Sequence, residues 1–384
     1  MKIAHIIPYY HGVGGLQVCV HNISERHAKT GHSVHVFSWE KNNRISGERY
    51  FNESFHHFRW VKLTYPLCKL WLYRYVKNLQ EKFRFDLWQM NGGFPYGAVL
   101  ADFFINKNMP CVLRCSGDDI QIDHELDYGI RRNKKADRMI RDNYHKYNAV
   151  IAITDTIRKE YSALGISTEK IKLIPNGVDY ERIHTFSPTL DIRKRHHIPQ
   201  DGKIILTVGR YHPKKGYSLI PKILKRLLEA GLNVYWIVIG GGITRIDNTG
   251  LLDRDSFRMI LLDEMRPDAN ENNLPSNELI TYYKESDIFA MTSLMESFGI
   301  VLIEAMAAGL PIVCFDAPGV RDVMNSNCGT ICSPKDIDEF FSALANHLGA
   351  EGRSRIAANC TKHAAKFSWD AIADRYLSLY ASLV

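Results

Sequence analysis

Met295-Glu296-Ser297-Phe298-Gly299-Ile300-Val301-Leu302-Ile303-Glu304-Ala305-Met306-Ala307-Ala308-Gly309 follows the apolar run at 288–293 and precedes Pro311 and a second apolar run at 312–315. The two runs have the length and composition of buried strands. The segment between them has helical spacing, with Gly309 as its stop and Pro311 after it. A strand, a helix and a strand in this order form a parallel crossover. The helix is expected to begin near Ser297, so its first turn would offer unpaired backbone N–H groups and the positive end of the helix dipole to an anion. Gly299 would allow close approach of a ligand. Glu296 and Glu304 would meet its hydroxyl groups, since carboxylates accept from hydroxyls and repel phosphates.

Working outward, the same alternation runs through the chain. Strand-like runs fall at 3–8, 34–38, 87–91, 111–114, 150–154 and 171–175, then at 204–209, 234–240, 288–293, 312–315 and 329–333. Two such series in 384 residues exceed one hydrophobic core and predict two doubly wound α/β domains with a cleft between them. Pro188, Pro199 and the charged stretch at 191–197 interrupt the pattern, which places the boundary near residue 190. The expected division is therefore 1–190, 191–366 and a final helix, 367–384, crossing back onto the first domain through Trp369, Ile372, Tyr376, Leu379 and Tyr380.

Composition narrows the function classes. Hydrophobic residues make up 45% and charged residues 24%, as in a globular protein. No apolar run approaches the ~20 residues that cross a bilayer, and Met1 leads directly into a strand without a secretion signal, so a cytoplasmic protein is expected. The eight cysteines form no C-x-x-C pair and are expected as reduced core residues. Cys328 and Cys332 come nearest to a metal pair but lack companions, so no metal is expected. The net charge of +7 calls for an anionic partner.

Three further segments carry chemistry. Val208-Gly209-Arg210-Tyr211-His212-Pro213-Lys214-Lys215-Gly216-Tyr217 leaves the first strand of the second domain, where Arg210 and Lys215 could neutralise a diphosphate leaving group without a metal ion. Gly240-Gly241-Gly242 ends the next strand at the same sheet edge. In the first domain, Gly12-Val13-Gly14-Gly15-Leu16-Gln17 only loosely matches a dinucleotide fingerprint, because Gln17 stands where a third glycine would be. Pro175-Asn176-Gly177-Val178-Asp179 ends that domain's last strand.

Gly14-Gly15, Pro175-Asn176-Gly177-Val178-Asp179, Arg210 with Lys215-Gly216, Glu296-Ser297-Phe298-Gly299 and Glu304, in this order and spacing, resemble the family-4 retaining glycosyltransferases of GT-B fold. The likeness extends to Phe367-Ser368-Trp369. It implies that Arg210 and Lys215 hold the donor diphosphate, Glu296 the donor sugar and Glu304 the ribose. Backbone N–H groups at Phe298 and Gly299 would face the phosphates. Gly14, Gly15, Asn176, Gly240, Gly241, Ser297 and Ile300 complete the expected donor set. Where the family often has His-Gly after the fourth strand, this chain reads Arg114-Cys115-Ser116-Gly117-Asp118-Asp119, so Asp118 and Asp119 stand as catalytic candidates beside Arg210, Lys215 and Glu296.

The resemblance implies transfer of a hexose-type sugar from a nucleoside-diphosphate sugar, UDP favoured over GDP, with no other cofactor. The acceptor would be a glycan or lipid-linked hydroxyl in polysaccharide or lipopolysaccharide synthesis. An epimerase or hydrolase on the same scaffold, or a non-catalytic sugar-nucleotide-binding protein, stands as the alternative. Residues 59–77 interleave aromatics with cations and residues 131–146 are basic, which suits an anionic membrane surface, here the inner face, or a phosphorylated acceptor. No nucleic-acid partner is expected.

Overall fold

The computed structural model describes residues 1–8, 14–38, 50–54, 65–247, 253–265, 274–349 and 353–384. The chain divides into two compact units, Met1–Asn176 with Trp369–Val384, and Gly177–Ser368. The division falls after Asn176 rather than near residue 190. The intervening segment belongs to the second unit, where Ile192 N–H bonds to Glu285 at 2.9 Å and His196 Nε2 meets the Tyr282 hydroxyl at 2.8 Å. His196 is therefore engaged within the second unit.

The first unit contains a seven-stranded sheet, all parallel. Its strands are β1 (Lys2–Ile7), β2 (Ser33–Ser38), β3 (Tyr50–Ser54), β4 (Leu87–Asn91), β5 (Cys111–Arg114), β6 (Ala149–Ala152) and β7 (Ile171–Leu173), in the order β3-β2-β1-β4-β5-β6-β7. β1, β4 and β5 lie at the centre and are buried apart from Lys2, because helices cover both faces of a parallel sheet.

The helix Trp369–Ala381 packs in this unit against the helix Gly15–Lys29. It buries Trp369, Ile372, Ala373, Tyr376, Leu379 and Tyr380 along one stripe. Its polar seams are tied as well. His27 Nε2 meets the Ala373 carbonyl at 3.0 Å, and the Tyr380 hydroxyl donates to Gln89 Oε1 on β4.

The second unit has β8 (Lys203–Val208), β9 (Val234–Ile239), β10 (Met259–Leu262), β11 (Ile288–Met291), β12 (Ile312–Phe315) and β13 (Gly329–Cys332), in the order β10-β9-β8-β11-β12-β13. All are parallel. Its core stacks Trp236, Phe315 and Phe340 with Ile223, Leu224 and Leu344 from the covering helices. The unit closes on itself, since Val178 N–H donates to the Phe367 carbonyl at 2.8 Å beside the Val178–Ser368 bridge. Both sheets reverse strand order beside their first strand, and in such sheets the carboxyl ends at the reversal form the binding crevice.

Two edge strands, β3 and β10, were absent from the sequence expectation. Edge strands need only one paired side and carry weaker apolar runs, as Tyr50-Phe51-Asn52-Glu53-Ser54 illustrates. Cysteines 19, 111, 115, 314, 328, 332 and 360 are buried and unbridged, and no group of three metal-ligating side chains occurs among the described residues.

Removing the Tyr380 hydroxyl strands Gln89 inside the first unit. Tyr380→Phe is expected to cost ~1–3 kcal/mol, and adding Gln89→Leu should cost more still, because the Gln89 amide also donates to Asn91 Oδ1 at 2.7 Å and the double variant leaves that buried oxygen unpaired. Urea unfolding of the single and double variants checks this.

Candidate active site

β8 and β11 are neighbours at the order reversal of the second unit, and the loops leaving their carboxyl ends are laced together. Leu294 N–H donates to the Lys214 carbonyl at 2.7 Å, and the Thr292 hydroxyl to the Lys215 carbonyl at 2.8 Å. Gly216 has φ +63, and a Cβ there would lie 2.2 Å from the Thr292 carbonyl oxygen. Only glycine allows this approach.

The lacing places Lys215 against Glu296. Lys215 Nζ lies 2.5 Å from Glu296 Oε1, which also accepts from the Ser293 hydroxyl at 3.0 Å. Glu296 is 6% exposed. Burial by itself pushes its carboxyl up, but the Lys215 and Lys214 charges and the hydrogen bonds from Lys215 and Ser293 outweigh that and hold it below the usual carboxylate range. The Glu296 backbone is pinned too, its N–H on the Pro318 carbonyl at 2.9 Å, while a Cβ on Gly319 would come within 2.2 Å of the Glu296 carbonyl oxygen.

The helix spans Ile300–Ala307, with Gly299 as its cap in the left-handed region at φ +81. It thus begins three residues later than expected. Gly299 cannot continue a right-handed helix in that conformation, so Glu296, Ser297 and Phe298 form a buried loop before it. Glu296 is not a solvated first-turn acid. The N–H groups of Phe298, Gly299 and Ile300 have no backbone acceptor among the described residues. They are free for an anion. The Phe298 ring turns inward, edge-on to Phe367 at 6.0 Å between centroids.

Arg210 is exposed on the β8 loop. The Gly209 carbonyl beside it accepts from the Tyr217 hydroxyl at 2.8 Å, and a Cβ on Gly240 would sit 2.1 Å from that same carbonyl oxygen. Tyr211 N–H bonds the Gly241 carbonyl at 2.9 Å. Gly240 and Gly241 therefore shape the Arg210 loop. His212 Nδ1 accepts from Lys214 N–H at 3.2 Å, and burial with the neighbouring Lys214, Arg210 and Lys215 charges keeps its pKa low.

Glu304, on the helix Ile300–Ala307 itself, is 7% exposed and accepts from the Tyr283 hydroxyl at 2.8 Å. Burial raises its pKa to about 7, with only Tyr283 and the Arg182 charge opposing. Ser293, Tyr283, Arg182 and Pro318 were not singled out from sequence. Only Ser293 carried a signal, a hydroxyl just past a strand's carboxyl end.

In the first unit, Gly14 caps the helix Gly15–Lys29, and the Gln17 side chain folds back over it. Gly12 and Val13 lie outside the described residues. Asp119, expected as a catalytic candidate, is 3% exposed and accepts three backbone N–H groups, from Gly93 at 2.6 Å, Ser116 at 2.9 Å and Gly117 at 3.0 Å. Its carboxylate is spent on fixing the loops after β4 and β5. Asp118 beside it is exposed. Asn176 Oδ1 accepts from the fully buried Arg114 guanidinium at 2.5 Å, so this side chain faces the interior of its own unit.

Residues 13–182 match the profile Glycosyltransferase Family 4, and residues 189–366 match Glycosyl transferases group 1. The chain belongs to glycosyltransferase family 4. This family-4 chain is 28% identical over 229 residues to a D-inositol 3-phosphate glycosyltransferase of Xylanimonas cellulosilytica, covering 56% of this chain and 52% of the relative. It spans about half the length of the curated relatives it matches. Sucrose-phosphate synthase from Thermosynechococcus elongatus superposes with a TM-score of 0.77 at 18% identity, over 100% of this chain and 98% of that one. Anabaena Alr3699/HepE in complex with UDP-glucose gives a TM-score of 0.77 at 18% identity over 100% of both chains. At that identity the likeness establishes the fold, which is GT-B.

Two predictions follow from the geometry of this family-4 site. Gly216→Ala should unlace the two loops, seen as loss of protection of the Leu294 amide in hydrogen exchange. The second concerns Glu304, whose carboxyl ordinarily titrates near 4.5 and is raised to about 7 in the fold. Between those values the native state binds more protons than the unfolded chain, so this group's contribution makes stability fall as pH rises, by up to ~3 kcal/mol. Glu304→Gln should flatten that slope in urea unfolding measured from pH 5 to 8.

Proposed function

We propose that the chain is a retaining, metal-independent glycosyltransferase that moves a hexose-type sugar from a nucleoside-diphosphate sugar to a hydroxyl of a glycan or lipid-linked acceptor. The observation that carries this reading is the buried Lys215–Glu296 pair beside the free N–H groups of Phe298, Gly299 and Ile300. Arg210, Lys214 and Lys215 against Glu296 leave a local surplus of two positive charges. That surplus matches a diphosphate without a metal ion. Lys215 and Arg210 would stabilise the departing nucleotide, Glu296 would orient the donor sugar, and Glu304 would hold the ribose hydroxyls. Asp118, exposed beside Ser116, is the carboxylate of the β5 loop that we assign to the acceptor side.

UDP is favoured as the nucleotide, in keeping with the neighbour whose structure holds UDP-glucose. A role in cell-surface polysaccharide or lipopolysaccharide synthesis fits the neighbour WaaG, described as a glycosyltransferase involved in lipopolysaccharide biosynthesis. No helix among the described residues is long and apolar enough to cross a membrane. A cytoplasmic protein resting on the inner face of an anionic membrane is the placement we favour. On the helix Tyr65–Phe83, Leu70 is 73% and Trp71 42% exposed, Trp71 stacks on Tyr75, and Arg74 and Lys77 are exposed nearby. Apolar side chains ringed by cations suit that surface. The basic stretch at 131–146 supports it less than expected, because Arg131 is buried between Asp137 and Glu160 and Lys146 pairs with Asp102.

Incubating the full chain with UDP-, GDP-, ADP- and CMP-sugars and candidate acceptors tests the reading. Transfer that persists in EDTA and falls ~10²-fold or more in Lys215→Ala is expected. No donor binding across the panel would overturn it, and donor conversion without an acceptor would assign an epimerase or hydrolase instead. For the surface, Leu70→Glu with Trp71→Glu should reduce co-sedimentation with vesicles of phosphatidylglycerol while leaving donor binding unchanged.

A further inference from the structure

The second unit has a cavity of about 500 Å³ that the donor site does not use. It lies at the amino end of β13, whose first residue is Gly329, whereas Lys215 and Glu296 lie beyond the carboxyl ends of β8 and β11. In a parallel sheet these are opposite edges.

Three elements build the cavity. The turn Ser326–Cys328 supplies Ser326 and Asn327, the last turn of the helix Ile337–Gly349 supplies His347, and the helix Arg353–Ala364 supplies Arg355, Ile356 and Asn359. A side chain at Gly329 would collide with the Ile312 carbonyl oxygen, its Cβ only 1.8 Å away, so this wall stays bare.

The lining has a definite chemistry. Among the described residues Arg355 makes no ion pair and no acidic side chain lines the cavity. As a lining residue, Arg355 brings guanidinium donors to the space. Asn359 Nδ2 donates to the Asn327 carbonyl at 3.2 Å, which fixes the side chain and leaves its own carbonyl oxygen as an acceptor. His347 Nε2 is held by the Thr330 hydroxyl at 2.9 Å. The guanidinium calls for an anionic group, to which the His347 ring, its pKa lowered by burial, adds an N–H rather than a charge, while two carboxamides, a hydroxyl and one apolar side chain suit a ring bearing hydroxyls. The volume is that of a small-molecule pocket.

We infer that this cavity binds an anionic monosaccharide, a sugar carrying a phosphate or a carboxylate, at a second site separate from the donor site. The anion sits on Arg355 and His347, and the sugar hydroxyls meet Ser326, Asn327 and Asn359.

Calorimetric titration of the full chain with glucose 6-phosphate and with glucuronate, beside inorganic phosphate and neutral glucose, tests this. At least one anionic sugar should bind saturably and ~10-fold or more tighter than either control, and Arg355→Ala should weaken it ~10-fold or more. Arg355 is exposed, so that variant should keep the wild-type melting temperature, and Asn359→Ala provides a second, independent loss. Lys215→Ala should leave this binding intact, which separates it from the proposed transferase activity. Absent saturation, equal binding by inorganic phosphate, an unchanged affinity in Arg355→Ala, or full displacement by excess UDP-glucose would each overturn it.

Discussion

The Lys215–Glu296 pair is the constraint on which the second unit's loops depend. A buried ion pair is a poor source of stability, because removing two charges from water costs several kcal/mol per ion before their attraction returns any of it. Here the geometry compensates. Glu296 receives Lys215 and Ser293 on one oxygen, and its backbone is fixed by Pro318. Hydrophobic residues of similar size would fill the same space with less electrostatic strain. Such an arrangement makes physical sense where a ligand needs a fixed cation and a fixed carboxylate side by side, ready before it arrives.

That readiness is built from backbone approach rather than from side-chain packing. Gly216 against Thr292, Gly240 against Gly209 and Gly319 against Glu296 are three places where one loop's carbonyl oxygen lies where a Cβ would be. Each pulls two strand-end loops closer than any other residue permits. The result is a set of loops joined to each other as firmly as to the strands they leave, which limits how far the charged groups can drift.

Much of this was legible in the sequence, and the misses have physical causes. The strand runs and their carboxyl-end glycines placed both sheets and grouped Arg210, Lys215 and Glu296 correctly on one sheet edge. The helix start at Ile300 was misread because Glu296-Ser297 has the composition of a helix cap, and only the left-handed conformation of Gly299 excludes it. Asp119 was offered as chemistry because sequence shows a carboxylate and not its acceptor geometry. Its three backbone donors, one of them from Gly93 on a different loop, exist only once β4 and β5 are adjacent. Tyr283 was invisible for the same reason. Nothing in a helix sequence says that one tyrosine will end at Glu304.

Glu296 and Glu304 bring these strands together. They are the same residue type on one short segment, both nearly fully buried, and their environments drive them apart. Glu296 faces Lys215 and Lys214 and stays ionised. Glu304 has a neutral tyrosine as its direct partner and only a more distant Arg182 charge, and is pushed to about 7. Two buried carboxylates with separated titrations carry separate tasks. The first is a permanent charge that sets the position of Lys215. The second changes state near neutral pH, so whether it stands beside Tyr283 as a charged acceptor or as a neutral acid depends on the pH.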